Sequence, residues 1–102
     1  MGTRIELNSK LQKILGSGNV YYNPDETIKL KYPCIVYSID YDDDAYADNS
    51  RFIKNRRYTI TLITRVADDP CIEALPDNLI NCHLTRVYKA DGLHHYSFSL
   101  YY

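Results

Sequence analysis

Tryptophan is absent from these 102 residues, and phenylalanine (two), cysteine (three), glycine (four) and proline (four) are scarce. So little glycine and proline excludes a collagen-like chain or a low-complexity linker. The cysteines, Cys34, Cys71 and Cys82, are an odd number at unrelated spacings. A secreted disulfide framework favours even counts, and a zinc site favours close CxxC pairs. Reduced, buried thiols that pack as small hydrophobes are expected instead, in a chain that matures in a reducing cytoplasm. No apolar run approaches the ~18 residues of a membrane helix. The N-terminus carries Arg4 and Glu6 and has no apolar core of a signal peptide. Position 6 is glutamate, where N-myristoylation wants Ser or Thr. A charge excess is missing too: twelve basic residues against thirteen acidic give −1 and a pI near 6.3. That argues against a protein whose main work is to grip nucleic acid.

What remains, 45% hydrophobic and 25% charged, is the composition of one compact domain over residues 1–102. Residues 4–15 carry Leu7, Leu11, Ile14 and Leu15 at helical spacing, with Lys10, Gln12 and Lys13 on the other side. Thr3 and Glu6 fit a capping box, and Gly16 with Gly18 fits a left-handed termination. NVYYN (19–23) is a short strand candidate, followed by a polar connection with the turn signal Asn23-Pro24-Asp25. PCIVYSIDY (33–41) alternates, with Ile35, Tyr37, Ile39 and Tyr41 on one side. RYTITLITRV (57–66) alternates more cleanly, placing Tyr58, Ile60, Leu62 and Val66 together. In 67–82, Asp69-Pro70 reads as a helix N-cap and first residue, and Pro76 forbids one continuous helix through the segment, so one or two short turns are expected. HLTRVYK (83–89) and HHYSFSLYY (94–102) form two more strands around Asp91-Gly92, a hairpin signal. The last strand turns Tyr96, Phe98 and Leu100 to the core and His95, Ser97 and Ser99 away. The pattern is an α+β fold: a mostly antiparallel sheet of four to five strands, the N-terminal helix packed on one face, and a short second helix. Leu11, Ile14, Ile35, Ile60, Leu62, Phe98 and Leu100 are the expected core.

The densest local bias is DYDDDAYADN (40–49), with five aspartates in 40–48. As an EF-hand it would use Asp40, Asp42, Asp44 and Asp48, but the obligatory glycine is Ala45 and the bidentate glutamate is Arg51. Directly after it come Arg51, Lys54, Arg56 and Arg57. Those cations would suit phosphate, except that the neighbouring acids cancel their field beyond a Debye length of ~8–10 Å. Acid and base on separate segments suit contact between identical copies instead. Asp42, Asp43, Asp44, Asp48, Arg51, Lys54, Arg56 and Arg57 are therefore the candidate interface residues. His94 and His95 point to opposite faces of a strand and cannot chelate one ion together. With no GxSxG, CxxC or HExxH, the sequence offers no catalytic site, no metal site and no cofactor. Eleven tyrosines exceed what one small sheet internalises, and tyrosine is common where surfaces are buried on assembly.

RIELNSKLQKILGSGNVYYNP, LKYPCIVYSI, YADNSRF, RRYTITLI and YKADGLHHYSFSLYY, in that order, resemble a family of small siphophage tail terminator or tail completion proteins. The likeness runs from Arg4 to Tyr102; residues 70–82 are shorter than the family's usual connection. The resemblance implies a structural virion protein, assembled in the host cytoplasm. It implies a ring, usually of six copies, that caps the head-proximal end of the tail tube, stops its polymerisation and offers a docking face to head-completion proteins. Its implied partners are itself, the tail tube protein and the head connector, with DNA only as cargo through the lumen and no membrane. A head-closure or neck connector and a small monomeric protein-binding module are the alternatives.

Overall fold

The computed structural model describes residues 4–25, 27–39 and 57–102. Helix α1 spans Arg4–Leu15; strands β1 and β2 span Val20–Tyr22 and Cys34–Ile39. Strand β3 (Arg57–Thr64), helix α2 (Cys71–Asn78) and strands β4 (Cys82–Ala90) and β5 (Leu93–Tyr101) follow. The strands make one sheet in the order β1-β2-β3-β5-β4. β1 runs parallel to β2, with Val20 opposite Ile35, and every other pairing is antiparallel. The architecture is α+β, as the sequence pattern predicts.

Helix α1 forms where its apolar stripe predicts. Leu7 and Leu11 are fully buried, and Ile14 and Leu15 pack at the margin of the core. Its end is set by Gly16, whose φ of +83° is open to glycine and whose N–H donates to the Gln12 carbonyl at 2.9 Å. Gly18 takes no part in a left-handed conformation, so the termination rests on one glycine, not two. Thr3, the proposed cap, lies outside the described residues.

The core lies between one sheet face and both helices. Ile35, Tyr37, Tyr58, Ile60, Leu62, Tyr96, Phe98 and Leu100 meet Leu7 and Leu11 of α1 and Leu75 of α2. All the expected core residues belong to this cluster except Ile14, which is only partly buried against it. Tyr37 crosses the layers: its hydroxyl donates to Asn8 Oδ1 on α1 at 2.7 Å, which satisfies a polar group in the interior.

Two expectations between β3 and β4 are corrected. Val66 does not line the core; it is exposed beyond the end of β3. The strand stops at Thr64, whose buried hydroxyl donates to Asp69 Oδ2 at 3.0 Å and accepts the Val66 N–H at 3.2 Å. This side chain closes a turn that takes residue 66 out of the pleat. Pro76 sits inside a continuous α2 and does not divide it. Proline deprives the helix of one i→i−4 bond, here to Ile72 in the first turn, and its ring lies on the exposed side. Bonds on either side hold the helix: Ala74 N–H to the Pro70 carbonyl at 3.1 Å and Leu79 N–H to the Leu75 carbonyl at 3.0 Å. Asp69 behaves as expected of an N-cap side chain, its Oδ1 accepting the Cys71 N–H at 2.9 Å, and Pro70 is already helical at φ −57°.

Residues 91 and 92 join β4 to β5 in a two-residue turn. Asp91 at φ +54° and Gly92 at φ +75° give it the double left-handed geometry that matches strand twist.

Candidate interaction surfaces

Of the eight candidate interface residues, Asp42, Asp43, Asp44, Asp48, Arg51, Lys54 and Arg56 lie outside the described residues. Arg57 opens β3, half-buried and opposite Tyr101 of β5. The strands that bracket the charged stretch are hydrogen-bonded neighbours, Ile39 opposite Tyr58. In sequence, the acidic block and all of the basic block but Arg57 thus fall in one connection between adjacent strands.

The sheet face away from the helices carries a polar band over β3 and β5, with Cys34 and Ile63 buried beside it. Thr61 Oγ1 and Ser97 Oγ lie 3.1 Å apart across β3 and β5, and Thr85 Oγ1 donates to the Ser97 carbonyl at 3.1 Å. Near the hairpin, the Tyr88 and His95 rings stack at 4.6 Å and 15°, and the Arg86 guanidinium lies 4.6 Å from the Tyr88 centroid. His95 Nδ1 is 3.1 Å from the Leu93 carbonyl, a bond that requires the proton on Nδ1. His94 pairs with Lys89 on the opposite face, so the two histidines are separated as expected. Among the described residues no group of three His, Cys, Asp or Glu side chains is placed to hold a metal ion.

Charge is distributed unevenly between the layers. Arg57, Arg86 and Lys89 are the charged residues of the five strands, and none of the strands contains an aspartate or glutamate. The described acids, among them Glu6, Asp69, Glu73 and Asp77, stand on the helices and turns. This segregation is invisible until strand boundaries are known.

Comparison with protein-family models, with curated proteins and with solved structures finds no match to this chain.

The edge strands differ sharply. β1 is three residues long, whereas β4 has nine, of which His83 to Val87 are all exposed. Cys82, Leu84 and Val87 pair with Leu100, Phe98 and Tyr96, so they share the helix-bearing face. Only Cys82 is covered there; Leu84 is 48% exposed, Val87 57%, and Ile80 at the end of α2 84%. A register shift between Leu84 and Arg86 marks a bulge, leaving 86–90 in regular pairing.

The described tyrosines divide between the interior and the surface. Tyr37, Tyr58 and Tyr96 are buried, the Tyr96 hydroxyl donating to the Ala67 carbonyl, while Tyr101 is 46% exposed. Burial raises the Tyr37 hydroxyl above its usual pKa, and the nearby Arg4, which also lies 4.4 Å over the Tyr22 ring, pulls it the other way. All three cysteines are free and buried, and desolvation lifts each thiol from 9.0 to about 11. For Cys71 the Asp69 carboxylate adds to the effect, and its thiol donates to the Ile14 carbonyl at 3.7 Å, linking α2 to α1. Such thiols are poor nucleophiles.

Proposed function

We propose that this chain is a structural protein of a phage virion, a tail terminator that assembles as a ring on the head-proximal end of the tail tube. The observation that carries the reading is the division of charge. The strands hold only cations, and the densest acidic block stands in the β2–β3 connection. A ring is built by heterologous contacts, in which one patch meets a different patch on the next copy, and unlike charges on separate segments provide such a pair. The resemblance of residues 4–102 to tail completion proteins supports the same reading, as do the partly exposed tyrosines. In this role the ring ends tube growth, meets the tail tube on one side and the head connector on the other, and lets DNA pass.

A phage lacking the protein tests it. Filled heads and separate tails that fail to join, with tubes of abnormal length, are the expected outcome. Normal tails joined to heads would overturn the assignment, and unjoined tails of normal length would favour a head-closure connector. A purified chain that stays monomeric at every concentration, with and without tail tubes, would favour a monomeric binding module.

A further inference from the structure

We propose that the outer edge of β4, which no described strand covers, pairs antiparallel with β4 of a second copy, about a two-fold axis at Val87. A long edge strand presents a row of unpaired backbone donors and acceptors, and native proteins cover or guard such rows. Here β4 offers nine residues with no proline or glycine, and Leu84, Val87 and Ile80 lie exposed beside it, beyond the reach of the helices.

The side chains choose the partner and the register. A two-fold axis at Val87 sets Val87 against Val87 of the second copy on the helix-bearing face. It sets Arg86 against Tyr88 of the second copy, twice, on the face away from the helices, a pairing already made within the chain at 4.6 Å. Lys89 then lies opposite the bulge residue Thr85, and Leu84 opposite Ala90. Shifting the axis to Arg86 or to Lys89 would oppose like charges, and an axis at Tyr88 would set Lys89 against Val87. The two cations that guard the edge against arbitrary strands therefore select one register with a second copy. Such an isologous contact closes at two copies and cannot generate a ring alone. It uses the far edge of the sheet from β1, and it stands independently of the ring reading.

The test is cysteine cross-linking of the full-length chain together with its mass in solution. In antiparallel pairs, opposed Cβ atoms lie about 4.5–5.5 Å apart, close to disulfide geometry, so a Val87→Cys variant faces its own copy. The native thiols are buried and stay silent. Mild oxidation is expected to give a disulfide-linked dimer of Val87→Cys, and none of Ile5→Cys, a control 73% exposed on α1. Sedimentation of the wild type is expected to show a species of twice 11.9 kDa that Val87→Glu reduces to the single-chain mass with an unchanged far-UV spectrum. Cross-linking no greater than that of Ile5→Cys, a wild type that is monomeric throughout, or an oligomer whose mass Val87→Glu leaves intact would each overturn the proposal. A ring that survives Val87→Glu would sink this inference and leave the ring reading standing. A dimer that survives charge reversal at Arg56 and Arg57, with the ring lost, would separate the two contacts.

Discussion

Replacing Leu11 by alanine probes the packing of α1 on the sheet directly. Leu11 is fully buried in the cluster that joins α1 to the sheet and to α2. The substitution removes three carbon groups, about 2.4 kcal/mol at ~0.8 kcal/mol per buried methylene. The cavity left between rigid layers adds to this, so the total lies at roughly 3–5 kcal/mol. Against a stability of about 5–15 kcal/mol for a domain of this class, that is a large fraction. In urea the midpoint should fall with little change in slope, and at about 5 °C per kcal/mol the melting temperature should drop by roughly 15–25 °C. Ile14→Ala, three residues on and only partly buried, should cost clearly less, and Val66→Ala, on the exposed turn, less than ~0.5 kcal/mol. A Leu11→Ala loss below about 1 kcal/mol, or one no larger than that of Ile14→Ala, would refute the packing of α1 on the sheet through this face.

On the proposed ring reading, charge reversal of Arg56 and Arg57 to glutamate should weaken ring formation and attachment to tail tubes while circular dichroism shows a folded chain, and added salt should reproduce part of the loss. Wild-type capping by the double variant would remove these residues from the assembly contact. Asp69→Ala should lower stability by about 1–2 kcal/mol in thermal melts, because it leaves the Cys71 N–H and the buried Thr64 hydroxyl without their acceptor. Thiol labelling at pH 8 should be slow in the native state and fast in urea, since the thiols move from about 11 back towards 9.0 on unfolding. The folded state holds these protons more tightly, so their stabilising contribution is complete below pH 9 and declines from pH 9 to 11. A stability that rose with pH across that window would contradict their burial.

Much of the fold is legible from local chemistry. The span of α1 follows from four apolar residues at helical spacing and a glycine able to adopt positive φ. The β4–β5 hairpin follows from Asp91-Gly92, and the core face of β5 from simple alternation. What was not legible depends on contacts distant in space. β3 ends two residues before its apolar alternation does, because Thr64 reaches Asp69. Helix α2 carries Pro76 because its one missing bond falls between two turns that are otherwise held. The parallel pairing of β1 with β2 has no signature in a three-residue strand. For the candidate interface, the two charge blocks stand out in sequence, but the freedom from acid of the strands emerges only from their boundaries, and the position of β4 at the edge of the described sheet only from the strand order.

That strand order also governs the sequence of events as the chain is made. β5 is synthesised after the four other described strands, yet it lies between β3 and β4 in the sheet. At ~5–20 residues per second, α1 and the first three strands leave the ribosome seconds before the strand that completes their core. In that interval Ile60 and Leu62 have no Phe98 or Tyr96 beside them, and β3 has an open edge of its own. Closure then depends on a hairpin whose two-residue turn brings β4 along with β5, on the ~1–10 μs timescale of hairpin formation. The core beside β3 thus waits for residues 93–101, and a stalled or truncated chain lacking them would carry the apolar face of an unfinished sheet.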